Sequence, residues 1–199
     1  MTALANTNEK RVLHMDAQRR ALLLVCLSLF ASATASVPRA KAASAGAIEA
    51  DTNATLGRFY RHVEGSRRLV REAAGVLVFP TVIKAGMGIG GEYGEGALRI
   101  RGKTVGYYNT VSASFGFQLG AQARSVIILF MTDDALARFR DTDGWKVGVD
   151  GSVAVVTIGI GGSIDTNRIT SPVIGFIFDG KGLMYNLTLE GSKISRIWR

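Results

Sequence analysis

Residues 75–96 read GVLVFPTVIKAGMGIGGEYGEG, and this stretch decides the fold. Val76 to Phe79 are apolar without a break, which is typical of a short strand buried on both faces, and Pro80 should stop that strand. Glycine then recurs into a second predicted strand, from Ile89 to Ile100. Glycines inside strands permit bulges, sharp bends and close backbone approach. The stretch therefore predicts a strongly curved β-structure.

The chain after this stretch continues the β pattern. A turn at Arg101-Gly-Lys103 predicts a hairpin with a strand from Thr104 to Ala113, and Asp179-Gly-Lys-Gly182 predicts another turn. Because the connections are mostly tight turns, antiparallel pairing is favoured over parallel crossovers. The remaining predicted strands are Ser125–Met131, Val153–Ile160, Val173–Phe178, Leu183–Leu189 and Ile194–Trp198.

One helix interrupts these strands. Thr132 is its predicted cap, and the acids Asp133 and Asp134 suit the positive end of the helix dipole. The side chains predicted to face inward are Ala135, Leu136 and Phe139.

Two amphipathic helices are predicted before the strands. The apolar residues of the first recur at i, i+3, i+4 and i+7, and Ser66 is positioned to cap a second helix that ends near Ala74. The strands that follow are apolar on both faces and need cover on both sides. We expect an α+β fold in which N-terminal amphipathic helices pack on a strongly curved, mainly antiparallel, Gly-rich β-sheet or barrel with one inserted helix. The stripe of the first helix is Leu56, Phe59, Tyr60 and Val63.

Residues 1–35 have the order of properties of an export signal. Arg19 and Arg20 precede an uncharged apolar run, Ala21 to Phe30, and small residues follow at Ala31–Ala35, where a signal peptidase would cut. The apolar run is about ten residues, whereas a spanning helix needs roughly 20. Met15 is an alternative start for the signal.

The type of signal stays open from the sequence. Arg19-Arg20 fits a twin-arginine signal only in part, and Cys26 follows the bulky Val25 where a lipoprotein signal has a small residue. We expect an exported protein of the periplasm or cell envelope, without a lipid anchor. Residues 36–46 are predicted to form a flexible leader, and residues 47–199 the folded domain.

The charge balance points to an anionic partner. The chain holds 24 Lys and Arg against 16 Asp and Glu; four of these cations and two of these acids precede Ser36, which leaves a formal charge of +6. A basic surface attracts phospholipid headgroups, polyanions or nucleic acid. Because export separates the protein from nucleic acid, we expect phospholipid and no nucleic acid.

The short motifs that suggest other chemistry are interpreted as structural. Gly86 to Gly91 fits G-x-G-x-x-G, but no helix opens after it to receive a pyrophosphate. Asp141 to Gly144 resembles the start of a calcium loop, but Ser152 stands where such a loop needs glutamate. His62 lies on the polar side of a predicted helix, with no nucleophile beside it in the sequence. We expect no cofactor, no metal and no enzymatic activity.

Several blocks of the chain resemble a known module. Over some 120 residues they are similar, in order, to the SYLF domain, a lipid-binding family also described as a Ysc-type actin-binding domain. The blocks are Gly75–Gly96, Arg101–Tyr108, Ser112–Gly116, Gly120–Gln122, Thr132–Arg140, Gly144–Gly151, Gly182–Leu187 and Glu190–Ser192.

The resemblance implies lipid binding by a bacterial exported member. Eukaryotic members bind phosphoinositides and, in one yeast protein, actin, while bacterial members look like envelope proteins with phospholipid affinity. Membrane contact in the eukaryotic members is linked to a basic amphipathic helix at the start of the domain, which corresponds here to Leu56–Ala74. The export signal and the lack of a partner-recruiting domain set this chain apart from the actin-linked members, so we expect no actin binding.

The predicted lipid-binding residues are basic side chains of the helices and of the first hairpin. Each cation near an anionic bilayer contributes about 1 kcal/mol, so four or five together hold a protein there. Two alternatives stay open: a structural or adaptor protein that docks an envelope protein partner, and a lipid carrier with acyl chains inside the barrel. A filled interior favours the surface binder over the carrier. The predicted residues are Arg58, Arg61, Arg67, Arg68, Arg71, Lys84, Arg101 and Lys103.

Overall fold

The computed structural model describes residues 42–157, 171–182, 189 and 191–199. The predicted export signal, Cys26 and most of the predicted leader lie outside the described residues, as do the second part of the strand predicted from Val153 and nearly all of the one predicted from Leu183. The described elements are α1 (Ala45–His62), α2 (Ser66–Glu72), β1 (Gly75–Ile100), β2 (Lys103–Phe130), α3 (Asp133–Asp141), β3 (Trp145–Lys146), β4 (Ala154–Thr157), β5 (Val173–Gly182) and β6 (Lys193–Ile197).

The predicted α+β class is confirmed, with the N-terminal helices packed on a strongly curled sheet that forms a half-barrel. Helix α1 starts at a side-chain cap, since the Ser44 hydroxyl accepts a hydrogen bond from the Ala47 N–H at 3.2 Å. Its predicted stripe is confirmed, because Leu56, Phe59 and Val63 are buried. Among the described residues, no helix is both long and apolar enough to cross a bilayer.

The prediction that Ser66 caps α2 is wrong. Gly65 occupies the cap position with a φ of 75°, and Ser66 is the first helical residue. The buried Ser66 hydroxyl donates instead to the carbonyl oxygens of Val63 at 2.6 Å and Phe59 at 3.3 Å. These carbonyls lie at the end of α1, where they also accept from the backbone N–H groups of Ser66 at 3.2 Å and Val63 at 3.0 Å, respectively. Ser66 therefore ties the end of α1 to the start of α2.

Strands β1 and β2 form a ribbon of 26 and 28 residues that pairs antiparallel from end to end. The predicted turn between them is confirmed at Arg101-Gly102, where both residues have positive φ, 51° and 77°. The predicted stop at Pro80 is wrong. A register shift between Phe79 and Val82 places this proline in a bulge, where its missing N–H breaks no ladder hydrogen bond, and the strand continues.

The ribbon folds over so that the two halves of β1 lie face to face. A Cβ atom on Gly96 would lie 2.1 Å from the carbonyl oxygen of Val78, and one on Gly86 would lie 2.4 Å from the Cα of Gly90. Backbone therefore meets backbone at these points, which only glycine allows. The G-x-G-x-x-G string lies within β1 at this bend, so its interpretation as a glycine-bent strand is confirmed.

The other edge of β2 is shared by two strands. Its first half pairs antiparallel with β6, and its second half pairs antiparallel with β5. Strand β3 pairs antiparallel with β6, whereas β4 runs parallel to β5, which makes the mainly antiparallel sheet a mixed one. The predicted turn at Asp179–Gly182 is wrong: β5 continues to Gly182 through a bulge at Asp179, whose φ is 56°.

Aromatic side chains fill both sides of the sheet. Between the helices and the sheet, the Phe59 ring lies 4.9 Å from Phe176. On the inner side of the curl, Phe139 of α3 lies 4.7 Å from Phe130 and 5.6 Å from Trp145, measured between ring centroids. The predicted cap of α3 is confirmed, since the Thr132 hydroxyl accepts from the Ala135 N–H. The described inner side is packed with side chains.

Candidate functional site

Four of the predicted arginines are exposed on the two N-terminal helices. Arg61 lies in the last turn of α1, and Arg67, Arg68 and Arg71 follow on α2. We call these four residues the helical basic surface. Residues 58–72 contain five arginines and two glutamates, so this segment carries a formal charge of +3.

Local contacts orient part of this surface. The Arg67 guanidinium lies 4.6 Å from the centroid of the Tyr60 ring, a cation–π arrangement that holds the charge at the protein surface. Arg68 Nε lies 3.4 Å from Glu72 Oε1 one turn on, with both side chains about half exposed, 52% and 53%. An exposed i,i+4 pair of this kind is weak, so it leaves the positive potential of the surface largely intact.

Arg58 is held differently from the other four. Its Nε donates to Asp179 Oδ2 at 2.6 Å, and its Nη2 donates to the Thr55 hydroxyl at 3.0 Å and the Ser125 hydroxyl at 3.5 Å. The Arg58 side chain is 35% exposed. Its charge is therefore balanced by a carboxylate, and its position pins α1 to strands β2 and β5.

A cleft of about 360 Å³ lies beside this ion pair. Besides Arg58 and Asp179, its walls include Lys181 of β5 and the hydroxyl-bearing Thr81 and Ser125. Sequence reasoning missed this cleft because its walls come from residues that are far apart in the chain, on α1, β1, β2 and β5. The signal in the sequence was Asp179-Gly180, a pair that tolerates left-handed backbone and was interpreted as a turn.

The Arg58–Asp179 pair gives a direct prediction about stability. We expect Asp179→Asn to lower the free energy of unfolding by about 1 kcal/mol, because it removes the charge of a pair that solvent screens in part. Asparagine tolerates the positive φ of this position, whereas alanine does not, so Asp179→Ala should lower the free energy of unfolding by more than Asp179→Asn. Urea unfolding of both variants measures the difference. Equal stability of wild type and Asp179→Asn would contradict a linking role for the pair.

Lys84 does not lie on an exposed surface, which corrects its predicted position beside the hairpin. It is 7% exposed, on the inner face of the folded ribbon. Glu92 and Arg124 are also buried, and Arg124 Nη2 donates to both carboxylate oxygens of Glu92 at 2.8 Å. Two cations and one acid thus lie within the curl.

Burial raises the pKa of the Glu92 carboxyl above its ordinary value, and the positive charges of Arg124 and Lys84 offset this only in part. One feature of the sequence could have indicated this buried cluster. Arg124 directly precedes the apolar run Ser125–Met131, where a charged side chain is unusual.

The last two predicted residues, Arg101 and Lys103, are exposed at the turn of the ribbon, an element separate from the helical basic surface. Arg99 beside them is engaged: its Nη2 lies 2.7 Å from Glu49 and its Nη1 lies 2.8 Å from Asn53, both on α1. His62 is exposed at the end of α1. Among the described residues, no group of three or more His, Cys, Asp or Glu side chains is arranged to hold a metal ion.

Comparison with known families gives a match for the C-terminal part of the chain. Residues 111–197 match the family described as Ysc84, Las17-binding protein actin regulator. This segment is similar to the Ysc84 (SYLF) domain. The match starts in the first third of β2, runs to the end of β6 and includes α3. No curated protein matches the chain.

The Ysc84 domain belongs to a family known for lipid or actin-related binding. The matched segment contains Arg124, Ser125, Asp179 and Lys181, whereas α1 and α2 precede it. The helical basic surface therefore lies outside the matched segment, and its role rests on its geometry.

Proposed function

We propose that this chain is a non-enzymatic protein of the cell envelope that binds anionic phospholipid through the helical basic surface. The observation that carries the proposal is the exposure of Arg61, Arg67, Arg68 and Arg71 on two consecutive helices that cover one face of the sheet. The predicted export signal supports a location in the periplasm or cell envelope, where phospholipid is the abundant polyanion.

The energetics suit reversible attachment to a membrane surface. Each exposed cation near an anionic bilayer contributes about 1 kcal/mol, so four contribute about 4 kcal/mol. That sum corresponds to roughly a thousandfold in the binding constant. Salt at about 1 M shortens the Debye length to about 3 Å and should abolish most of this attraction.

The interior supports a surface binder over a lipid carrier. Rings of β2, α3 and β3 pack against each other on the inner side of the curl, where a carrier would hold acyl chains. The buried pair of Glu92 and Arg124 occupies the same side, and an acyl chain beside it would weaken its solvation.

Vesicle sedimentation tests the proposal. The protein as it accumulates in cells should sediment at low salt with phosphatidylglycerol or cardiolipin vesicles much more than with phosphatidylcholine vesicles. Replacing all four arginines of the surface by glutamine should remove this preference. Arg58 stays unchanged in that variant because it pins α1.

Two results would count against the proposal. Equal sedimentation with anionic and neutral vesicles would remove the charge-based account. A preference that survives the fourfold replacement would assign binding to another surface. A discrete protein partner that is cross-linked in cells to both the wild type and the fourfold variant would favour the adaptor alternative.

A further inference from the structure

The outward face of the folded ribbon is apolar where such a face is usually polar. Ile83 is 53% exposed, Ile89 66%, Tyr93 48% and Val111 45%. Exposed Ala85 and Ala113 continue the same face. We call these six residues the apolar face. Exposed apolar side chains grouped on one side of a sheet mark a docking surface.

The pattern along β1 is inverted at this point. Lys84 and Glu92 are turned inward, while their neighbours Ile83 and Tyr93 are turned outward. Among the described side chains of this outward face, none between Ile83 and Tyr93 on β1, or between Val111 and Ala123 on β2, is charged. The inward polar cluster therefore leaves the hydrophobic side chains of the ribbon in solvent.

Lysines stand at both margins of the apolar face. Residues directly opposite each other in antiparallel strands share a face of the sheet. At one margin, Ile83 is opposite Ala123, which is opposite Lys181. At the other margin, Val111 is opposite Lys193, and Lys193 is opposite Lys146. Lys146, Lys181 and Lys193 are exposed.

The acids nearest to these margins are already engaged. Glu95, the next outward residue after Tyr93, accepts from the Tyr93 hydroxyl at 2.6 Å, from the Ala43 N–H at 3.2 Å and from Arg199. Asp179, on the same strand as Lys181, is paired with Arg58. Asp150 accepts from the backbone N–H of Lys146. The hydrogen bond to Asp150 leaves its negative charge in place, so the three marginal lysines face one such charge and the margins remain net positive.

We infer that the apolar face inserts into the interfacial layer of an anionic phospholipid leaflet, with Lys146, Lys181 and Lys193 at the level of the phosphates. Aliphatic side chains enter the acyl boundary, and lysines extend their methylene stems towards the headgroups. Tyr93 suits the same depth because its ring is apolar and its hydroxyl polar. The inference rests on the proposed function and adds a second, hydrophobic contact to it.

A second copy of the chain fits this surface less well. Two apolar faces packed against each other would bring the marginal lysines of both copies together, while Asp179 and Glu95 are already paired with Arg58 and Arg199. An anionic leaflet instead supplies negative charge at both margins and hydrocarbon between them.

Paired substitutions of exposed residues test the inference. We expect Ile83→Gln with Ile89→Gln to reduce the partition of the protein onto phosphatidylglycerol vesicles at least tenfold. The dependence of the partition on salt concentration should not change, because every cation remains. The matched control replaces two exposed valines outside the apolar face, Val105→Gln with Val155→Gln, and should change the partition less than twofold. Equal loss in both pairs, or no loss in either, would overturn the inference.

A polarity-sensitive fluorophore gives a second readout that does not depend on affinity. Ile89→Cys in a Cys26→Ser background, labelled with such a dye, should shift its emission to the blue with phosphatidylglycerol vesicles. The same label after Val105→Cys should not shift. No shift at position 89 would overturn the inference. A shift that appears without vesicles when the protein concentration is raised would also overturn it, because it would assign the face to self-association.

The two hypotheses fail separately in this design. If neutralising the four helical arginines abolishes binding while Ile83→Gln with Ile89→Gln does not, the insertion is wrong and the proposed function stands. If binding depends on Ile83 and Ile89 and not on the arginines, the proposed function is wrong and the apolar face is the contact.

Discussion

Gly96→Ala should destabilise the protein more than any other single methyl addition considered for the ribbon. The new Cβ would lie 2.1 Å from the Val78 carbonyl oxygen and 2.8 Å from the Phe79 ring. Val78 and Phe79 are both buried, so the first half of β1 has little room to move away. We expect a loss of about 3 kcal/mol or more in the free energy of unfolding, which is the upper range for overpacking.

Gly91→Ala is the matched control in the same strand. A Cβ on Gly91 meets no atom within 4 Å, so this substitution should change stability by about 0.5 kcal/mol or less. Urea unfolding of the two variants under identical conditions gives the comparison. Similar stabilities would mean that the two halves of β1 do not touch, and the folded-over ribbon would be wrong.

Arg124→Met should have the second large effect, because it leaves the Glu92 carboxylate buried without its main partner. Breaking a buried pair by removing one member costs about 3–5 kcal/mol when the remaining group stays charged. The matched control is Glu72→Gln, which breaks the half-exposed pair with Arg68 and should cost less than about 0.5 kcal/mol.

The cost of Arg124→Met should depend on pH in a defined direction. The pKa of Glu92 is already raised in the folded protein, and loss of the Arg124 charge raises it further. A carboxyl whose pKa is higher in the folded than in the unfolded chain favours folding while it is protonated. This contribution is complete below the pKa of the unfolded chain, and it is lost as the pH rises through the pKa of the folded chain. The deficit of the variant relative to wild type should therefore be larger at pH 8 than at pH 5. A deficit that is equal at both pH values would contradict a titrating Glu92.

The local features of the fold could be predicted from the sequence because neighbouring residues determine them. The stripe of α1, the Thr132 cap of α3 and the turn at Arg101-Gly102 each depend on residues within one or two turns of chain. These predictions are confirmed. The family resemblance is confirmed for residues 111–197.

The long-range features could not be predicted in this way. A strand pattern shows which residues share a face, but not which face lies inside once the strand folds back on itself. Lys84 was therefore expected outside, and it lies inside with Glu92 and Arg124. Pro80 and Asp179 were interpreted as ends of strands, whereas pairing partners far along the chain convert both into bulges.

The candidate site was predictable in composition and only partly in arrangement. The exposed arginines of α2 follow from the helix period, which places them off the apolar stripe. The pinning of Arg58 by Asp179 does not, because the two residues are 121 positions apart in the chain. The inverted pattern around Ile83 and Lys84 was visible in the sequence, but its meaning required the position of the polar cluster inside the curl.

The most direct test of the account compares two double variants on vesicles that contain phosphatidylglycerol at low salt. One removes two charges from the helical basic surface, Arg67→Gln with Arg71→Gln. The other removes two exposed charges from α3, Arg138→Gln with Arg140→Gln, so that both proteins have the same net charge. With about 1 kcal/mol for each cation, the first pair should weaken binding at least tenfold and the second less than threefold. Equal weakening by the two pairs would contradict the account, because binding would then follow net charge alone and not the surface formed by α1 and α2.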